Sequence, residues 1–345
     1  MRAVVYASPG QVEVRDVPEP VLADATDVLV RVTHAGICGT DLHASSGHMS
    51  GVLPGTVLGH EFTGVVAEVG TAVIGLSIGQ KVMSSDFAVC GRCWWCRRGA
   101  RWHCPQRRFF GTGTAFGAAL AGGQADYVRV PFGDTTLASL PPGVTDEAAL
   151  LLGDNLATGW GACQRGGVRP GDVVAVVGGG PVGQMASVAA QLHGAAVVVV
   201  SDPVPGRRDM AAAQGAVAVA PDRARVVLDE LTDGRGADVV LEAVGGSVGL
   251  DASMVLVRRA GTVVSVSAHL QESWAFPLAA AFAAETTLSF VIGDSIGLRD
   301  ELSSVLASGL LDPTFVVSRH DRLQAAATSY GAMRDMQQTK VILDL

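Results

Sequence analysis

Six residues, Gly178-Gly179-Gly180-Pro181-Val182-Gly183, constrain the fold of this chain more than any other stretch. They follow an apolar run at 173–177 and open an Ala-rich stretch at 182–193, so they stand at a strand-to-helix turn. Gly178, Gly180 and Gly183 occupy the G-x-G-x-x-G positions, with Pro181 and Val182 between the last two. Glycine there permits a tight turn and lets N–H groups at the helix N-terminus approach a pyrophosphate. The pattern predicts a parallel sheet that binds a dinucleotide. Gly111-Thr112-Gly113 lacks a flanking strand and helix and reads as a loop.

The surrounding sequence agrees with that fold class. Apolar strands at 173–177, 196–201, 216–220, 239–242, 263–266 and 288–292 alternate with Ala-rich helices, the pattern of a doubly wound sheet. Before them the texture differs. Short β-type runs at 3–6, 12–14, 28–33, 62–69, 81–83 and 125–130, separated by Gly and Pro, predict a β-rich domain with little helix. Helical composition begins at 146–151 and continues over 155–165. Beyond 292 the order is helix 298–308, strand 314–318, helix 323–336 and a closing strand at 340–343, placed to return to the first domain.

A length of 345 residues fits two domains, and 48% hydrophobic against 17% charged residues supplies real cores. A net charge of −8 speaks against a nucleic-acid or anionic-membrane partner. No signal-type segment opens the sequence and no apolar run approaches the ~20 residues that span a bilayer. The expected location is cytoplasmic.

Asp202 ends the strand after the glycine turn, 19 residues past Gly183, where a carboxylate accepts hydrogen bonds from adenosine ribose hydroxyls and repels a 2′-phosphate. That favours NAD over NADP. Arg207 and Arg208 pull the other way, since a guanidinium holds a phosphate.

Two stretches carry metal-ligand chemistry. Gly36-Ile37-Cys38-Gly39-Thr40-Asp41-Leu42-His43, read with Gly59-His60-Glu61, offers a thiolate, an imidazole and a carboxylate; a third ligand must come from further along the chain. Gly36, Gly39, Gly55, Gly59 and Gly64 are expected to bend the backbone so that these side chains converge. Cys90-x2-Cys93-x2-Cys96-x7-Cys104 supplies four thiolates for a closed tetrahedral zinc site. Pro105 after Cys104 matches ferredoxins, but the seven-residue gap does not, so zinc is favoured over an iron–sulfur cluster. Arg92, Arg97, Arg98 and Arg101 would offset the thiolate charge, and Trp94 and Trp95 are expected to pack this lobe. Cys163 reads as a small core residue.

Taken together, the Cys38 to His43 stretch, Gly59-His60-Glu61, the four-cysteine lobe, Asp154-Asn-Leu-Ala-Thr158-Gly and Gly178 to Gly183 resemble the zinc-dependent medium-chain dehydrogenase/reductase (alcohol dehydrogenase) family nearly end to end. The resemblance implies an α/β chain: a GroES-like β-rich catalytic domain at 1–153 and 293–345 with a structural-zinc lobe at about 90–104, and a Rossmann NAD-binding domain at 154–292. It implies two zincs per chain and NAD, with NADP less favoured. The catalytic zinc would sit between the domains on Cys38, His60 and Asp154, with Glu61 beside it as an alternate ligand or as a carboxylate just outside the ligand set. Asp154 departs from the best-known dimeric members, which use Cys there. The resemblance further implies a proton relay from Thr40 to His43. It places Thr158 at the nicotinamide, Arg207 near the adenosine ribose and Lys340 near the cofactor phosphates. The implied reaction is reversible hydride transfer between a zinc-bound primary or secondary alcohol and the nicotinamide. Polyol, amino-alcohol or aldehyde oxidation on the same scaffold, and an NAD-binding sensor without turnover, are the alternatives. A homodimer or homotetramer is implied, with strand 288–292 available to pair between copies. Phe87, Phe110, Phe116 and Trp274 are candidates for an apolar substrate lining.

Overall fold

Strands built from Val, Ile and Leu at alternate positions organise the first of two units, Met1–Asp154 with Asp294–Leu345; the second is Asn155–Gly293. The computed structural model describes residues 1–345. In the first unit β1 (Arg2–Ser8) and β2 (Gln11–Asp16) form a hairpin. A seven-stranded sheet follows from β3 (Val28–Ile37), β4 (Phe62–Val69), β5 (Lys81–Ser84), β8 (Tyr127–Val130), β9 (Leu137–Ser139), β16 (Arg319–Arg322) and β17 (Val341–Asp344). Its order is β16-β17-β3-β4-β5-β9, with β8 also on β3. The short pair β6 (Phe87–Ala88) and β7 (Arg108–Phe109) sets Phe87 opposite Phe109. Val28, Val30 and Val32 of β3 pack one core with Phe62, Val66 and Phe110, while Val4, Ile37, Leu58, Tyr330 and Val341 pack another.

Several elements differ from the sequence expectation for local reasons. β3 runs on to Ile37, so Gly36 lies in a strand and is not a bend. A Cβ at Gly36 would lie 2.0 Å from Glu61 Oε2, so glycine is needed there for close approach. Gly59, at φ +95°, does bend the chain. The strand expected at 314–318 is a 3₁₀ turn, Pro313–Val316, because the Asp312 side chain accepts from Thr314 N and Pro313 presets the first helical φ. The helix expected from 298 starts at Ser295, capped by Asp294. After the helix Asp146–Leu151 the chain makes a π-helical turn, Leu152–Leu156, before the helix Ala157–Gly166. Such turns recur at functional sites, and this one carries Asp154.

The second unit is a six-stranded parallel sheet of β10 (Val173–Val177), β11 (Val197–Ser201), β12 (Val217–Val219), β13 (Ala237–Glu242), β14 (Val257–Ser265) and β15 (Thr287–Phe290). The order β12-β11-β10-β13-β14-β15 is the doubly wound one, and the strand order reverses between β10 and β13. Gly178 follows β10 directly, at the carboxyl end where such sheets bind ligands. No helix is long and apolar enough to cross a membrane.

Candidate active site

Cys38 leaves β3 and becomes the N-cap of the helix Gly39–Ser45, which fixes its side chain at the end of the sheet. Its backbone N–H donates to Asp41 Oδ2 at 2.9 Å. The other carboxylate oxygen of Asp41 lies 3.2 Å from His60 Nδ1. That contact assigns the Nδ1 proton to the Asp41 side and leaves Nε2 as the nitrogen available to a metal. Nε2 is 3.4 Å from Asp154 Oδ2, and Cys38 Sγ is 3.5 Å from the same oxygen. Donor atoms of Cys38, His60, Glu61 and Asp154 all lie within 4.8 Å of one another. Glu61 is fully buried and its carboxylate meets the equally buried Lys340 ammonium.

The charge balance of this cluster is that of a cation site. Burial, and then the charges of Asp154 and Glu61, push the Cys38 thiol up to about 11. Burial works against a charged His60, but Asp41 and the hydrogen bond to Asp154 outweigh it, and the ring lies well above its ordinary value. Burial also opposes charge on Asp154, yet its His60 partner holds the carboxyl below the usual range. Glu61 is raised by burial despite Lys340. A divalent cation must therefore displace the Cys38 and His60 protons, and at pH 7 each step favours binding as pH rises. Zinc affinity at this set should climb roughly 10–100-fold per pH unit between pH 6 and 7.5, read by chelator competition.

The four-cysteine lobe forms a second donor set, also within 4.8 Å. Cys93 and Cys96 sulfurs are 3.5 Å apart and Cys104 and Cys90 are 3.6 Å apart, free thiols rather than disulfides. The Cys96 backbone N–H foremost brings the Cys93 thiol down to about 7. Trp102, not Trp94 or Trp95, packs this lobe: its ring stands edge-on to Phe87 and Phe109, whereas Trp94 and Trp95 are exposed. Arg101 pairs with Asp294, and Arg98 lies over the Trp94 ring; neither guanidinium is engaged with the thiolates.

Thr40, half-buried, and His43, exposed, are three residues apart on one helix and share a face. Partial desolvation lowers the His43 pKa. Lys340, expected near the cofactor phosphates, is instead fully buried with its ammonium on Glu61. The aromatic candidates are packed against other side chains. Phe87 and Phe110 are fully buried in cores, Phe116 stacks on Phe109 and Trp102, and Trp274 donates to Asp251 and packs on Phe276. Phe109, which no sequence signal marked, lies 5.2 Å from His60.

In the second unit Gly178 takes φ +97°, Gly180 caps the helix Pro181–Leu192, and Pro181 and Val182 open it. A Cβ at Gly183 would lie 1.8 Å from Gly178 O. Asp202, buried after β11, accepts from Gly179 N at 2.7 Å and Val204 N at 2.8 Å. Arg207 Nη1 lies 3.7 Å from Asp202, while Arg208 donates to the carbonyls of Asp202 and Pro203. Thr158 is buried near the start of the helix Ala157–Gly166.

Two family models match, the alcohol dehydrogenase GroES-like domain over residues 24–142 and the zinc-binding dehydrogenase domain over 181–308. A zinc-binding alcohol dehydrogenase from Mycobacterium tuberculosis is 39% identical over 335 residues, 97% of this chain and 85% of the relative. The chain belongs to the zinc-type alcohol dehydrogenase family. Alcohol dehydrogenase TADH from Thermus sp. ATN1 superposes with a TM-score of 0.94 at 38% identity, covering 100% of this chain and 99% of the other. A zinc-binding dehydrogenase from Sinorhizobium meliloti, bound to NADP, does so at 0.86 and 28% identity, with 100% and 99% covered. With the family come zinc binding and NAD(P)-linked oxidoreductase chemistry on alcohols and aldehydes. The residues fit these groups: a thiol, an imidazole and two carboxyls converge at one metal set and four thiols at the other, all zinc ligand types, and the glycine turn stands at a switch point.

Proposed function

We propose that this alcohol dehydrogenase family member interconverts primary or secondary alcohols and their carbonyl compounds, with NAD preferred over NADP. The convergence of Cys38, His60, Glu61 and Asp154 donors in one unit carries the reading. Cys38, His60 and Asp154 would hold a catalytic zinc with Glu61 as alternate ligand, and Cys90, Cys93, Cys96 and Cys104 a structural one. When bound, zinc supplies a Lewis acid that eases loss of the alcohol proton, and the nicotinamide accepts hydride. Asp41 orients the His60 ring, and Gln124 in turn donates to Asp41 at 3.4 Å. Phe109 covers one side of His60 and keeps water from it. Thr40 and His43 mark the proton route: His43 is exposed, and its lowered pKa favours release to solvent near neutral pH.

The cofactor preference rests on Asp202. Asp202→Gly removes charge repulsion against a 2′-phosphate and frees Arg207, 3.7 Å away, to meet it. The NADP-to-NAD ratio of kcat/KM should rise about tenfold or more; an unchanged ratio removes Asp202 from that role. Because Asp202 also braces Gly179 and Val204, the ratio and not the absolute rate is the readout.

A homodimer or homotetramer is proposed through edge strand β15 and the residues just after it, where Phe290 and Ile292 are exposed. The net charge of −8 supports a protein that avoids nucleic acid, and a cytoplasmic setting suits its free thiols. Metal content measured together with NADH absorbance on linear, aromatic, secondary and polyol alcohols tests the whole reading. Two zincs per chain with turnover support it, and one zinc without turnover overturns it.

A further inference from the structure

Asp86 is a buried carboxyl, on a segment packed against those that carry the metal donors, to which no role above falls. Its segment, between β5 and β6, is held against the site at two points. The Ser84 carbonyl lies so close to Gly153, the neighbour of Asp154, that a Cβ on the glycine would be 2.3 Å from it. Phe110 N–H donates to the Asp86 carbonyl at 3.2 Å, and the adjacent Phe109 has its ring 5.2 Å from His60. Asp86 is therefore flanked by the chain segments that carry Asp154 and that cover His60. Burial foremost, and then the charge of Asp154, raise its pKa well above the ordinary value, while His60 opposes them.

The side chain is only 5% exposed. Ser85 Oγ, itself anchored on Ser295, donates to Oδ1 at 3.2 Å. Beyond that bond and its own amide, the carboxyl forms no further hydrogen bond and no ion pair with Lys or Arg. An acceptor so buried is costly unless something donates to it.

We infer that Asp86 is a specificity determinant that receives a hydrogen-bond donor carried by the substrate near its carbinol carbon, the hydroxyl of a short diol or the ammonium of an amino alcohol. The inference rests on the alcohol-oxidising reading above. A site built to pair a polar group rejects the analogue lacking it far more strongly than an apolar pocket rejects an added hydroxyl. Either protonation state of Asp86 keeps an acceptor oxygen, so the hydroxyl suits both and the ammonium suits the carboxylate.

The test uses the two-zinc holoenzyme and three substrates of one shape: 2-butanol, 1,2-propanediol and 1-amino-2-propanol, with their one-carbon-longer homologues. Wild type should favour the diol or the amino alcohol over 2-butanol in kcat/KM by about tenfold or more, and Asp86→Leu should erase that ratio. Calorimetric titration of the same compounds should show the matching loss of affinity. Asp86→Asn keeps an acceptor without charge; retained diol preference assigns the hydroxyl, and loss of amino-alcohol preference assigns the ammonium. If Asp86→Leu does not fold, Asp86→Ala takes its place. Equal ratios in wild type and the Leu or Ala variant overturn the inference, as does loss of a zinc, which would make Asp86 a ligand. Absence of turnover on every alcohol defeats the alcohol reading itself, and the calorimetric comparison then still decides for or against Asp86.

Discussion

Cys38→Ser lowers the zinc content from two ions per chain to one and abolishes alcohol-dependent NADH formation. The two donor sets lie on separate stretches of chain, so the four-cysteine set keeps its ion. Serine is nearly isosteric, but its hydroxyl stays protonated where the cysteine sulfur becomes a thiolate, and His60, Glu61 and Asp154 are left without the sulfur ligand. A graded companion is Asp41→Asn, which leaves every ligand in place and weakens only the partner of His60 Nδ1; zinc affinity should fall about 10–100-fold. Full activity in the Cys38 variant would remove this residue from the metal site.

The largest expected effect on stability belongs to Lys340. Its ammonium and the Glu61 carboxylate are both fully buried and meet each other. Lys340→Met leaves a carboxylate in the interior with Asp154 already nearby, and breaking such a pair costs about 3–5 kcal/mol. Unfolding by urea, followed by near-UV circular dichroism, should show the loss, and adding Glu61→Gln should recover most of it. A single variant as stable as wild type would mean that Glu61 finds another counter-charge, with the metal the first place to look.

What could be read from the sequence was whatever depends on residue type and short spacing. The glycine turn, the alternation that makes the parallel sheet, and the cysteine spacing are local, and the structure places each in the predicted setting. Positions whose meaning lies in a distant partner were illegible. Lys340 meets a residue 279 positions away, so nothing in its neighbourhood distinguishes it from a cofactor-facing lysine. Gly36 was misread as a bend because glycine signals both flexibility and close approach, and only the position of Glu61 decides between them. Trp94 and Trp95 were misplaced in favour of Trp102 because adjacent aromatics in a short cysteine-rich loop look alike until the loop closes. Asp41 carried one usable sign: it stands three residues into the helix that Cys38 caps, where a carboxylate reaches back to the cap N–H.

β17, which pairs antiparallel with β3 so that Val341 faces Ile37, makes the order of assembly asymmetric. The second unit is continuous in sequence, from Asn155 to Gly293, and can close as soon as its own residues leave the ribosome. The first unit cannot, since β16 and β17, which complete its sheet beside β3, and the Lys340 ammonium that meets Glu61 wait on residues after Asp294. During synthesis the nucleotide-binding half is thus complete while the half that holds the ligands is still open, and its long-range pairing is the slow step. A zinc ion held by Cys38 and His60 would be enclosed only after chain completion, and until then the Cys38 thiol stays open to oxidation.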